Sequence, residues 1–415
     1  MRHSVLVRVA WAALMCGTLG LVAAASAPGG AETNAPAPAP SEASLLLSGP
    51  YVIDLSKDGG TVCWQSTREL VGAVRVKASN ANRWEEIREA KATRFHAVRL
   101  SKLAAGAEHD VEVQGDGRKL GELVFRTAPA EAEEFTFFAY GDTRTHSDDH
   151  ATVATAMLAE AERLKQFTFV VHTGDFAEAG SDDQATAEQF FRPAASLLAR
   201  LPLVPVRGNH ENKTDLFKKY FPLPKRPPEL GDADDRCVDY GSVRVVVLDK
   251  YAPPEALEAR MKWLAQKLAE AKDRWRFVAF HEPIYSSGKH RSALRFRAAV
   301  EPILVAGRAH VVLAGHDHNY ERTKPVKGVT HFTAGGGGAP LRDQSSAGLG
   351  PWSARFKTVH HFLTITVTPR KLTVQALCPQ GAGKPFKRFD SVDIPKDCGW
   401  PTQARKAGAA PQAPR

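Results

Sequence analysis

Two hydrophobic rhythms divide the chain. Between about Leu46 and residue 130, short apolar stretches alternate with polar positions at 61–64, 73–77, 95–100, 109–113 and 123–126. Period-two alternation, β-branched residues and turn residues in between predict the closely spaced strands of a small β-sandwich. From Glu134 onward the apolar runs become longer and nearly continuous, at 135–140, 167–172, 203–206, 243–248, 277–280 and 309–314. Helical spacing separates them at 149–165, where Val153, Met157, Leu158 and Leu164 recur, and at 182–200, 254–272 and 291–306. Apolar strands alternating with amphipathic helices predict an α/β domain. After Gly328 the chain returns to strands at 329–333, 362–368 and 372–377.

The two ends read differently. Arg2 and Arg8 precede an almost wholly apolar stretch to Ala25, with Ala23-Ala24-Ala25 as a small-residue cleavage site. This predicts a signal peptide at 1–25 and an exported protein, periplasmic or secreted. Residues 26–45 are an Ala/Pro-rich linker, 46–130 a first domain, 131–380 a second, and 381–415 an extension ending in a disordered basic tail. No later segment is apolar enough to span a bilayer, so no membrane partner is expected once the signal is removed. Of the four remaining cysteines, Cys378 and Cys398 could close a C-terminal loop in an oxidising compartment. The net charge of +9 fits an anionic substrate loosely, with part of it in Arg405, Lys406 and Arg415. No cluster of Arg or Lys interleaved with aromatics suggests a nucleic-acid groove, so no stable nucleic-acid partner is expected. Nothing in the pattern sets an oligomeric state.

The chemistry concentrates where apolar strands end. Gly141-Asp142 follows the first run, Gly174-Asp175 the second, and Gly208-Asn209-His210-Glu211 the third. His281 follows Phe280, and Gly315-His316-Asp317-His318 follows Ala314. Sites in α/β sheets assemble beyond the carboxyl ends of strands, and the glycines are expected to let the backbone turn sharply there. Asp, Asn and His are oxygen and nitrogen donors suited to first-row metals. A carboxylate such as Asp175 can bridge two ions roughly 3.5–4 Å apart.

This order of motifs resembles the calcineurin-like metallophosphoesterase superfamily. The stretch Gly-His-Asp-His-Asn-Tyr-Glu-Arg from Gly315 to Arg322 is most similar to the purple acid phosphatase branch. So are the strand-rich unit before it, with Thr127-Ala128-Pro129 at the junction, and the stretch His-Phe-Thr-Ala-Gly-Gly-Gly-Gly from His331 to Gly338. The resemblance implies a two-sheet β-sandwich flanked by helices, preceded by a small all-β fibronectin-III-like domain. It implies two metal ions, with Asp142, Asp175 and His318 on one, and Asp175, Asn209, His281 and His316 on the other. It further implies His210 as the general acid and attack on a phosphate ester by metal-bound hydroxide.

Two positions depart from the family pattern. Glu178 stands where purple acid phosphatases carry a tyrosine, and Arg144 where other members carry a histidine. The first metal therefore lacks one usual donor, and without the tyrosinate a divalent pair (Fe, Mn or Zn) is the expectation. Glu178, a water, His146 or His150 are candidates for the place, and Arg144 is expected to face the phosphate. His290 is a candidate second phosphate contact, and Glu321 with Arg322 a supporting ion pair. The leading expectation is an exported phosphomonoesterase. The alternatives are a phosphodiesterase on the same site and a degenerate, non-catalytic binding protein.

Overall fold

The computed structural model describes residues 45–131, 134–212, 214–223, 228–381 and 386–401. The expected signal peptide, all but the last residue of the linker, and positions 402–415 of the basic tail lie outside the described residues. Five antiparallel strands come first: β1 (Leu46–Ser56), β2 (Gly59–Ala78), β3 (Glu85–Leu100), β4 (Glu108–Gly115) and β5 (Arg118–Arg126). They form one sheet in the order β1-β2-β4-β5, with β3 also paired to β2. The strands predicted separately at 61–64 and 73–77 are two halves of the single 20-residue β2. Register shifts between Gln65 and Leu70 and between Val71 and Ala73 interrupt its ladder. Its first half pairs with β1 and its second with β4, as a strand bent by bulges can do. β1 has no counterpart among the predicted strands. Its Tyr51, Val52 and Ile53 are all buried, which hides the period-two signal.

The other strands build two sheets. One has six strands: β6 (Phe135–Tyr140), β7 (Val170–His172), β8 (Leu203–Pro205), and the later β16 (Phe362–Val367), β17 (Lys371–Cys378) and β18 (Lys387–Pro395). The other has seven: β9 (Arg236–Tyr240), β10 (Val243–Val247), β11 (Trp275–Ala279), β12 (Val311–Ala314), β13 (Tyr320–Thr323), β14 (Thr330–Ala334) and β15 (Ser353–Lys357). β6, β7 and β8 run parallel, as do β10, β11, β12 and β14. β18 falls in the stretch read from sequence as an extension, yet it forms the edge of the six-stranded sheet beside β17.

β6 shows why these runs are nearly continuously apolar. Phe135, Phe137 and Ala139 enter the layer shared with Phe277 and Leu313 of the opposite sheet. The Phe137 ring stacks on Phe169 at 4.6 Å and meets Phe277 edge-on at 5.1 Å. Phe138 and Tyr140 point the other way, packing with Val153 and Met157 of helix α1 (Ser147–Leu164). Alternate residues face opposite sides, and both sides are covered, so every position but Thr136 is apolar, and the Thr136 hydroxyl is satisfied by Thr366 Oγ1 at 2.8 Å. Each fully buried Phe contributes roughly 1.5–3 kcal/mol.

The helix expected over 182–200 is broken into α2 (Asp183–Thr186), a π-turn (Ala187–Phe191) and α3 (Ala195–Leu198). Pro193 has no N–H to donate to Gln189, four residues back. The freed Gln189 carbonyl faces His150 Nδ1 at 2.8 Å instead. Two more short or medium helices follow, α4 (Leu216–Tyr220) and α5 (Leu257–Glu270), and then α6 (Leu294–Ala306). Of the loop at 222–235, residues 224–227 are outside the described set. Its end is tied to α5, because the buried Asp235 carboxylate accepts from Arg260 Nε and Nη2 at 2.6 and 2.7 Å.

The first sheet is fastened to the rest by specific bonds. Tyr51 Oη donates to the Tyr220 carbonyl (2.7 Å), and Arg94 pairs with Asp183 (2.8 Å). All four described cysteines are free thiols, Cys378 and Cys398 included. Among the described residues no helix is long and apolar enough to cross a membrane.

Candidate metal centre

The ends of β6, β7 and β8 in one sheet and of β11 and β12 in the other bring their polar residues to one place. Donor atoms of Asp142, Asp175 and His318 lie within 4.8 Å of one another, and so do those of Asp175, His281 and His316. Asp175 belongs to both groups. Asn209 joins the second, its Oδ1 lying 3.1 Å from His281 Nε2 and 2.9 Å from His316 Nδ1. His281 Nε2 is 3.2 Å from Asp175 Oδ1, and His318 Nε2 is 3.7 Å from Asp142 Oδ1.

The backbone is bent at the donor residues themselves. Asp142, Asp175 and His316 have φ of 58°, 59° and 68°, a left-handed conformation that costs an L-residue of order 1–3 kcal/mol. Sequence reasoning gave the sharp turn to the glycines; among Gly141, Gly174, Gly208 and Gly315 only Gly174 has a positive φ. The correction is one of room rather than rotation. A Cβ on Gly208 would lie 2.2 Å from Asp175 Oδ1, and one on Gly315 would lie 2.3 Å from Asp142 Oδ2.

A donor set of this kind fits cations. His281 Nδ1 donates to the Thr173 carbonyl (2.8 Å) and His318 Nδ1 to the Pro340 carbonyl (2.7 Å). That leaves each Nε2 lone pair aimed inward, the tautomer a metal ligand needs. Oxygen and nitrogen lone pairs then face one another in a buried space, and without a cation only protons can relieve them. The electrostatics show that tension. Burial pushes the Asp142 carboxyl well up, although His281 opposes it. Burial would raise Asp175 too, but His281 beside it holds the carboxylate far below its usual range. Burial works against charge on His281, yet Asp175 and Asp142 outweigh it and lift the imidazole to about 10. Burial first, and the neighbouring cationic groups second, bring His316 down to about 2; burial brings His318 to about 3.

Glu211, quoted in the third motif but given no role, organises the two central loops. Its buried carboxylate accepts from the N–H groups of Asp175 (3.1 Å), Phe176 (2.9 Å) and Gly208 (2.9 Å). Burial, reinforced by Asp175, raises it to about 7. Glu211→Ala would leave three buried donors unsatisfied, at about 1–3 kcal/mol each. We expect the variant to lose about 3 kcal/mol or more of folding free energy in urea titration. An unchanged midpoint would refute this anchoring role.

The remaining expected site residues fall into two sets. His210 reaches the centre: its Nδ1 donates to the Glu178 carbonyl (2.6 Å), and its Nε2 lies 3.7 Å from Asp175 Oδ2. Arg144 also reaches it, with Nε 3.5 Å from Asp175 Oδ2 and Nη2 3.4 Å from His318 Nε2. Its Nη1 is paired with Glu178, and Thr145 Oγ1 donates to the same carboxylate. Glu178 therefore belongs to neither donor group and does not supply the missing donor. His150 is turned away to Tyr140 Oη and the Gln189 carbonyl, and His146 sits half-exposed beside Asp149. Neither reaches the first group.

His290 lies at the opposite rim. Its ring is 4.3 Å from that of His316, and its N–H donates to Asp317 Oδ1 (2.9 Å). The expected Glu321–Arg322 pair does not form. Adjacent residues of β13 point to opposite faces, so Glu321 accepts from Ser287 N and Oγ while Arg322 pairs with Asp390 at 2.7 Å. Gln189, Thr173, Pro340 and Arg342 also hold or flank the centre and were not foreseen. The backbone roles of Thr173 and Pro340 leave no mark in side-chain pattern; Gln189 lies within the broken helix and Arg342 in a loop, neither in a motif.

Residues 135–320 match the model of the calcineurin-like phosphoesterase family. Purple acid phosphatase 21 of Arabidopsis thaliana is 27% identical over 266 residues, covering 59% of this chain and 58% of that protein. A phosphoenolpyruvate phosphatase of Allium cepa is 26% identical over 274 residues, covering 61% of this chain and 55% of that protein. The chain thus spans less than three fifths of the length of these relatives. Among solved structures, the purple acid phosphatase PPD1 of yellow lupin superposes with a TM-score of 0.71 at 17% identity, covering 88% of this chain and 77% of its own. PhoD superposes at 0.68 and 14% identity, covering 87% and 92%. At such identities the two likenesses speak for the fold.

Proposed function

From the match of residues 135–320 to the calcineurin-like phosphoesterase family and the likeness to purple acid phosphatases, we propose that this chain is an exported phosphomonoesterase of that family, working on a dinuclear metal centre. The observation that carries the reading is the sharing of Asp175 between two buried donor groups. Asp142, Asp175 and His318 would hold one divalent ion, and Asp175, Asn209, His281 and His316 the other. Such a pair would draw charge from a bound phosphate and lower the pKa of a bound water.

The chain's own residues do the rest. His210 keeps Nδ1 on the Glu178 carbonyl, which aims Nε2 at the space beside Asp175. From there the protonated ring gives its proton to the leaving ester oxygen as the P–O bond breaks. Glu211 holds the loops of Asp175 and Asn209 in one register, and Thr173 and Pro340 hold the imidazoles. The strand-rich segment at 46–130, read as a fibronectin-III-like domain, serves as scaffold. Export rests on the reading of residues 1–25.

Metal analysis of the purified protein, alongside hydrolysis of p-nitrophenyl and bis(p-nitrophenyl) phosphate, tests the proposal. The expected result is two divalent ions per chain, activity lost on chelation and regained with Mn or Zn, and preference for the monoester. Preference for the diester would favour a phosphodiesterase. Protein with neither metal nor esterase activity would favour the binding-protein alternative.

A further inference from the structure

Arg144 was the arginine expected to meet the phosphate, but its charge is already answered by Glu178 and Asp175. Arg342 differs. Its backbone is pinned to the loop that carries His316 and His318: its N–H donates to the His318 carbonyl (3.0 Å), and its own carbonyl accepts from Asn319 Nδ2 (3.3 Å). Two residues earlier, the Pro340 carbonyl receives His318 Nδ1–H. The side chain turns to the rim, where Nη1 meets His290 Nε2, and the His290 ring lies against His316. No carboxylate pairs with Arg342 among the described residues. The nearest in sequence, Asp343, accepts from Thr358 Oγ1 (2.6 Å). A held guanidinium without a counter-charge, beside a donor cluster, is a binding group waiting for an anion. Its planar fork suits two oxygens of one phosphoryl group.

Position indicates which oxygens. His210 and Arg144 flank the cluster at Asp175, whereas Arg342 and His290 flank it at His316. The leaving oxygen belongs on the His210 side, so Arg342 faces phosphoryl oxygens that stay with phosphorus. A monoester carries two negative charges over those oxygens; a diester carries one and has an alkyl group on another. We propose that Arg342, steadied by His290, binds the terminal phosphoryl oxygens and selects monoesters over diesters. This rests on the phosphoesterase reading above.

The test uses the full, metal-replete protein and its Arg342→Gln and Arg342→Lys variants. Replacing one charged hydrogen-bonding group corresponds to roughly a 10–100-fold loss. That loss is expected for Arg342→Gln in kcat/KM for p-nitrophenyl phosphate and in calorimetric affinity for inorganic phosphate. Rates on bis(p-nitrophenyl) phosphate and affinity for dimethyl phosphate should fall markedly less, since the diester carries only one charge there, and metal content should match wild type. Arg342→Lys, which keeps a point charge without the fork, should fall between. Equal losses on both esters, or unchanged phosphate affinity, overturn the assignment. If Arg342→Gln loses metal, the Lys variant decides: phosphate affinity equal to wild type with metal retained counts against the fork. A wild-type protein acting on neither ester overturns the parent reading as well. One that prefers monoesters, with the same preference in Arg342→Gln, overturns only the role of Arg342.

Discussion

Asp175→Ala is expected to empty both cation sites at once and to lower turnover by at least about 10³-fold, since it removes charge stabilisation at both ions together. The reason is topological. Asp175 is the one residue common to the two donor groups, it is almost wholly buried, and its Oδ1 also receives the His210 N–H at 3.2 Å. Replacing it therefore also loosens the loop that bears Asn209 and His210. His318→Ala is the control, because His318 belongs to one group alone. Metal analysis after gel filtration should find close to none in Asp175→Ala and close to one ion per chain in His318→Ala. Two ions retained in Asp175→Ala would disprove the bridging role, whatever the activity.

The second large effect is that of His210→Ala. Its ring is oriented by the Glu178 carbonyl and does not belong to either donor group, so both metals should stay. Loss of a positioned proton donor typically costs about 10²–10⁴-fold. The cost should depend on the leaving group: large for alkyl phosphates, whose alkoxide needs a proton, and small for p-nitrophenyl phosphate, whose phenolate leaves unaided. A steeper dependence of rate on leaving-group pKa in the variant is the signature. A uniform loss across the series would assign His210 to phosphate binding instead.

Arg144 and Arg342 show how far a chain can be read before it is folded. Arg144 was noticed because it interrupts a motif. Its neighbours Glu178 and Asp175, far along the chain, are what neutralise it. Arg342 interrupts nothing and stands in an unremarkable loop, so only its return to the His318 loop brings it into view. The same limit explains the broken helix at 182–200. Its apolar spacing was visible, but the partner for the freed Gln189 carbonyl, His150, comes from another element.

What the sequence determined by itself is the set of strands that end in oxygen and nitrogen donors, since a buried strand needs a largely apolar run and the polar residues stand directly after it. Asp142, Asp175, Asn209, His281, His316 and His318 all stand at such strand ends, and the family resemblance singled them out as a donor set. Only the tertiary structure decided which charges remain unanswered, which turns the donor residues themselves make, and which carboxylate holds the loops in register. Those properties depend on distances between residues remote in sequence, and a one-dimensional pattern carries periodicity but no such distances.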